Sequence, residues 1–220
     1  MWSDLAHPLL LSLGIALTAT ICCILLGTPA AWLMARRRGM VVTIAEAITI
    51  LPLALPPTVV GYALLIALGR SGIGPWLDAI GLPFIFSPRG AIVAATVIAL
   101  PLYVLPARAA IAAVDRDAEE SARLDGAGRV RGFVRVTLPL AWRGLLAATV
   151  LAFARSLGEF GATLMVAGRI PGRTETLPLA IYGAVESGHR AQALGPALIL
   201  AAIALMATVV QRGWLERRGE

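Results

Sequence analysis

Two groups of residues in this 220-residue chain have types and spacings that could do chemistry. The first is Arg155 and Glu159, with Ser156 and Thr163 close by, inside an otherwise apolar run. A charge deep in a bilayer costs on the order of 3 kcal/mol on insertion scales, so such residues face the protein interior. Spaced i, i+4, the two share a helix face and can pair. Two readings stay open: an ion pair that locks two helices together, or a gate or pathway lining. The second group is 119–139, EESARLDGAGRVRGFVRVTLP, dense in arginine and acid between two apolar runs. Asp115, Asp117, Glu119 and Glu120 favour a helix N-terminus, where acids complement the dipole. Gly126 and Gly128 break that helix and allow a tight turn. Arg129 to Val136 can form a second short helix, which Pro139 ends before the next apolar run. Such a helix–turn–helix, acidic on one face and basic on the other, suits the docking of a soluble partner. A charged loop that only orients the chain is the plainer reading.

Enzymatic alternatives find little support. The chain has 19 arginines and no lysine, so it lacks the lysine with which a P-loop reaches nucleotide phosphates. His7 and His189 stand alone, and no HExxH or GxSxG occurs. No catalytic residue and no metal site is expected. Cys22 and Cys23 are adjacent in an apolar run, and two cysteines supply no metal set. An intramembrane enzyme using Glu159 and Ser156 would need a second catalytic group, and none is evident beyond Arg155. A stand-alone channel or secondary transporter is the other rival.

The elements that must position these residues are membrane helices. Hydrophobic residues make up 58%, charged residues 15%, and the mean hydropathy is +0.81, a composition of integral membrane proteins. Crossing a bilayer takes about 20 apolar residues, and five segments qualify: about 8–35, 44–69, 90–112, 144–167 and 191–211. They leave room for one membrane domain over 1–220 and a cytoplasmic loop over 113–143. With the N-terminus outside, 13 arginines fall on the side of that loop and five on the other, with Arg155 in a span. The positive-inside rule then places the loop and the C-terminus in the cytoplasm. The net charge of +6 expresses this bias and is no nucleic-acid signal. The first apolar run is not a signal peptide, because its basic cluster Arg36–Arg38 follows it. The second span is irregular: Pro52, Pro56 and Pro57, then Thr58, interrupt it. Prolines free backbone carbonyls, which must find partners in neighbours or in a cavity. A kinked packing helix and a pathway-lining helix both fit. The connection 168–190 is longer and polar and is expected to hold a short re-entrant or surface helix near 177–187. Trp76, in the Gly/Pro-rich connection 70–89, suits an interfacial anchor.

The spacing from Glu120 to Pro139 resembles the EAA loop of ABC-importer permeases, E-A-A, three residues, G, nine residues, I-x-L-P. Ser121 stands for Ala and Val136 for Ile. The runs Leu51–Tyr62 (LPLALPPTVVGY), Phe153–Thr163, Ile170–Gly172 and Thr176–Tyr182 are similar to the molybdate-transport permease family, and the LGEFG segment also to sulfate permeases. The resemblance covers roughly 10–210. It implies an all-α type I importer permease of about five transmembrane helices with a cytoplasmic coupling helix–turn–helix. It implies alternating access for a tetrahedral oxyanion: molybdate, with sulfate or tungstate as alternatives. The implied partners are two ABC ATPase subunits, which bind the ATP and Mg while this chain carries no cofactor, a second copy of the permease as a homodimer, a periplasmic molybdate-binding protein, and the lipid of a bacterial inner membrane. No nucleic-acid partner is expected. ATPase coupling falls to Glu119, Glu120, Ser121, Ala122, Gly126, Val136, Leu138 and Pro139. Candidates for the pathway or gate are Pro56, Pro57, Thr58, Arg155, Ser156, Glu159 and Thr163. Arg169, Arg173 and Arg190, on the outer side, are expected to dock the binding protein.

Overall fold

The computed structural model describes residues 2–124 and 128–217. Its described elements are helical: α1 (Trp2–Arg36), α2 (Met40–Ala54), α3 (Pro57–Leu68), α4 (Gly74–Ala79), α5 (Pro88–Ala112), α6 (Arg116–Leu124), α7 (Arg129–Gly132), a π-helical stretch (Phe133–Thr137), α8 (Leu138–Leu157), α9 (Gly161–Ala167), α10 (Leu177–Glu186) and α11 (Arg190–Arg217). Among the described residues, four helical runs are long and apolar enough to cross a membrane, and a fifth crossing arises if α2 and α3 count as one bent span.

Helix α5 is the centre. It packs against α1 on one side and α8 on another, and α1 also meets α8. The contact faces are built of small residues: Ala16, Ala19 and Ala31 of α1, Ala94, Ala95 and Ala99 of α5, Ala148 and Ala152 of α8 are fully buried. Helices in lipid gain little from hydrophobic burial, so close backbone approach supplies the packing energy. A Cβ at Gly27 would lie 2.6 Å from Tyr103 Cδ1, and the same approach lets Thr28 Oγ1 and Tyr103 Oη hydrogen-bond at 2.6 Å.

The second span differs from a kinked helix. Between α2 and α3 the axis turns by 116°. The cause is local: a residue preceding proline is pushed out of the α region, and both Leu55 and Pro56 precede one. Leu55 is extended at φ −99°, ψ 146° and Pro56 at φ −55°, ψ 136°. Pro57 then opens α3 at a position where its missing N–H costs nothing. Helix α2 buries none of its residues. An ion pair from Glu46 to Arg108 ties it to α5.

The region of the fourth span is broken as well. Instead of one helix over 144–167, the chain runs helically from Arg129 to Leu157, breaks at 158–160, and resumes as α9. Pro139 does not end the coupling unit. The chain widens into the π-helical stretch just before it, with Leu138 N–H reaching back to Phe133 O. The wider turn makes room where a proline ring would otherwise meet the carbonyl four residues back. At the other end, the break lets α9 lie against α3. A Cβ at Gly61 would sit 2.7 Å from Ala162 Cα, and one at Gly161 would sit 3.2 Å from Pro57 Cβ. Gly61→Val therefore forces backbones apart, and we expect it to lower stability by about 1–3 kcal/mol, read as an earlier thermal melt in detergent. A melt unchanged from the parent would mean that α3 and α9 separate without cost.

The short helix expected near 177–187 is α10, whose first residues Leu177, Pro178 and Leu179 are buried. Leu177 N–H donates to Ser12 Oγ of α1 at 2.8 Å. Trp76 of α4 is exposed, as an interfacial anchor requires.

Candidate coupling and pathway sites

The coupling unit begins as its acids dictate. Asp115 Oδ1 accepts from Asp117 N–H at 3.0 Å and starts α6. The two neighbouring glutamates then part company, because successive helix residues point about 100° apart. Glu119 turns inward and is 7% exposed. Its Oε1 accepts from Arg36 Nη2 at 2.8 Å, Arg36 Nε at 3.1 Å and Thr137 Oγ1 at 2.5 Å. Arg36 also donates to Val114 O at 3.3 Å. One carboxylate thus fastens together the end of α1, the first turns of α6 and the base of α8. Glu120 is exposed at the mouth of the cavity that Glu119 also lines, Ser121 is exposed, and Ala122 is half-buried. Val136 and Leu138 are half-buried and Pro139 is exposed. Gly126 lies outside the described residues.

The outward side of the unit is more apolar than its charge suggests. Leu124 is 90% exposed, Val130 69% and Val134 54%. These three apolar side chains project from an otherwise charged hairpin. The sequence reading passed over them because arginine and acid dominate the segment. Arg36 was missed as well: its place in a basic cluster concealed that it is an internal partner.

At the other site, Arg155 Nη2 lies 2.7 Å from Glu159 Oε2. The pair forms, but on different terms from two residues on one helix face. Glu159 stands in the break after α8, and its Oε1 caps the first turn of α9 by accepting from Ala162 N–H at 2.8 Å. The Glu159 side chain is 1% exposed and that of Arg155 28%. Close approach without an aligned N–H makes this a charge contact rather than a directed hydrogen bond. Ser156 and Thr163 are buried beside the break in sequence. Pro57 and Thr58 come to the same place from the other bent span, against Gly161. Pro56 is exposed at the turn itself. The two broken spans therefore meet at their breaks, where irregular backbone is tolerated only if protein or a water-filled cavity covers it.

Of the three arginines expected to dock the binding protein, Arg169 is exposed and has a carboxylate neighbour. Its Nη1 lies 3.6 Å from Glu175 Oε1, and its guanidinium rests on α10 where Gly183 has no side chain. Arg173 and Arg190 are exposed.

The family model described as "binding-protein-dependent transport system inner membrane component" matches residues 27–218. The chain belongs to this family. Among similar curated proteins, the molybdenum transport system permease ModB of Escherichia coli K12 is 43% identical over 214 residues, covering 96% of this chain and 93% of that protein. ModB of Haemophilus influenzae is 39% identical over 210 residues, covering 94% and 92%. Among solved structures, the inward-facing MetNI methionine ABC transporter superposes with a TM-score of 0.76 at 19% identity, over 99% of this chain and 97% of that one. The permease is thus an all-α inner-membrane transport subunit with the fold of ABC importer permeases. The α6–α7 unit is the segment in which the EAA spacing was read, and the broken spans hold the motifs similar to molybdate permeases.

Proposed function

We propose that the permease is the membrane-spanning half of an ATP-driven molybdate importer. It works by alternating access with a separate pair of ABC ATPases, which hold the ATP and Mg, a periplasmic molybdate-binding protein and a second copy of itself. The observation that carries the substrate is the 43% identity, over nearly the whole chain, to a molybdenum permease. Sulfate and tungstate share the tetrahedral geometry and are the competing cargoes. The observation that supports coupling is the fastened α6 hairpin. Motion applied by an ATPase at Glu120, Leu124 and Val130 passes through Glu119 to Arg36 and Thr137, and so to α1 and α8 together. The breaks at 55–57 and 158–160, where α3 meets α9, are the place where the helices can rock around a pathway. Weakly polar lining suffices there if selectivity resides in the binding protein. Arg169, Arg173 and Arg190, all exposed, serve as docking contacts for that protein.

The test is uptake by proteoliposomes containing the permease, its ATPase and its binding protein. We expect ATP-dependent molybdate accumulation that tungstate inhibits strongly and sulfate weakly. Accumulation without ATPase would point to a self-contained transporter, and sulfate preference would reassign the cargo. Orientation follows separately from the arginine asymmetry. In a chain lacking Cys22 and Cys23, Arg131→Cys is expected to resist an impermeant thiol reagent in intact cells, whereas Arg173→Cys reacts. The opposite pattern would invert the topology.

A further inference from the structure

Two cavities lie on the same pair of helices and read as one groove. The first, about 310 Å³, sits where the end of α1 meets α6 and α7. The second, about 440 Å³, lies deeper, between α1, α5 and α8. On α1 their linings continue each other in two rows of four-residue steps: 24, 28, 32, 36 and 25, 29, 33, 37. Residues four apart stack along one helix face. On the facing helix the lining likewise passes without a gap from Phe133 and Thr137 to Leu138 and Leu145. Trp32 and Phe133, which line the first cavity, touch with ring centroids 4.6 Å apart and narrow the groove between its two ends.

The two ends differ in chemistry. The deep end is apolar, with Ile24, Leu25, Leu145 and Leu146 among its lining. The shallow end holds Arg37, Arg116 and Arg129 in addition to Arg36. Glu119 already engages Arg36. Among the described residues no carboxylate lies within ion-pair reach of the other three. Glu120 also lines the cavity, so three arginines face one acid. Leu25 and Arg37 are twelve residues apart, about 18 Å along a helix. One leaflet's hydrocarbon is about 15 Å thick. A ligand with an acyl chain of that reach and a negative head fits this groove.

We infer that the groove between α1 and α7–α8 binds an anionic phospholipid, with its phosphate among Arg37, Arg116 and Arg129 and one chain along Leu25 and Leu145. Basic pockets between membrane helices at the cytoplasmic surface are suited to such head groups. The inference rests on the proposed orientation for its leaflet but not on the identity of the cargo. The site touches the Arg36–Glu119 junction, so an occupying lipid would brace the root of the coupling unit.

Native mass spectrometry of the permease purified with its ATPase tests the proposal, because binding is read directly and independently of uptake. Phosphatidylglycerol is expected to remain bound at collision energies that strip phosphatidylcholine. Each arginine near an anionic head group contributes enough that Arg37→Gln with Arg129→Gln should weaken phosphatidylglycerol binding roughly thirtyfold. Arg116→Gln alone gives a second reading if the double variant misfolds. Arg38→Gln, outside the cavity, should change nothing. Glycerol 3-phosphate should not compete, since it lacks the chain. Equal retention of the two lipids, unchanged binding in both arginine variants, or competition by glycerol 3-phosphate would overturn the assignment. So would efficient cross-linking of Arg116→Cys to the ATPase, which would make the cavity a protein contact.

Discussion

Replacing Glu119 by alanine should abolish coupled uptake, while replacing Glu120 should weaken ATPase association and leave the fold intact. Glu119→Ala leaves Arg36, whose side chain is 14% exposed, and the buried Thr137 hydroxyl without their common acceptor. Breaking a buried pair by removing one partner costs about 3–5 kcal/mol. Here that cost falls on the joint between the coupling unit and two membrane helices. We expect uptake to fall by more than tenfold and ATP hydrolysis to persist without transport. Glu119→Gln keeps the shape and an acceptor for Thr137, so it should fall between the two. Glu120 faces solvent, and exposed charges contribute roughly 0–1 kcal/mol to stability. Glu120→Ala should therefore melt like the parent, with its loss appearing only as a weaker ATPase complex. Thermal melts and ATPase pull-down on both variants separate the roles. If Glu120→Ala destabilised the chain and Glu119→Ala did not, the inward and outward assignments would be reversed.

The second large effect is expected at Glu159. Its carboxylate serves two purposes: it neutralises Arg155 and it caps α9 through Ala162 N–H. Glu159→Ala removes both, leaving a charge and a donor without partners in the membrane. Glu159→Gln keeps an acceptor for Ala162 and loses only the charge. Stability should fall in the order Glu, Gln, Ala, with several kcal/mol between the extremes, followed as detergent melting temperature and yield in the membrane. This separates the two readings of the pair. If Glu159→Gln melts near the parent yet transports tenfold less, the charge serves the pathway. If melting and transport fall together, the pair is a lock between α8 and α9.

How much of this was legible in the sequence depends on which residues carried it. The start of α6 was, because Asp115 and Asp117 act on the nearest backbone. The disruption at 52–57 was visible in its prolines, but the 116° turn was not. Proline states that a helix cannot continue; where the chain goes next depends on α9, which receives α3. The break at 158–160 was hidden because the apolar run crosses it unchanged, and only Gly158 and Gly161 mark it. Glu119 and Glu120 are chemically the same and adjacent, so no local rule chooses which faces inward. That choice belongs to Arg36, more than eighty residues earlier. The neighbours of Arg169 were hidden for a related reason. An arginine in a polar connection looks free until Glu175 and the bare backbone of Gly183 are seen beside it.

The π-helical stretch over 133–137 also fixes an angle. One such turn takes up an extra residue, so everything after it is rotated by about 100° relative to an uninterrupted α-helix. Arg129 and Leu157 belong to one continuous rod, and this offset sets the phase between its two ends. With it, Thr137 meets Glu119 while Leu138 and Leu145 line the groove with α1. Loss of a single residue there would leave both ends helical and both sets of side chains present, yet turn one end away from its partners. The rod would still be a lever, but one cut to the wrong key.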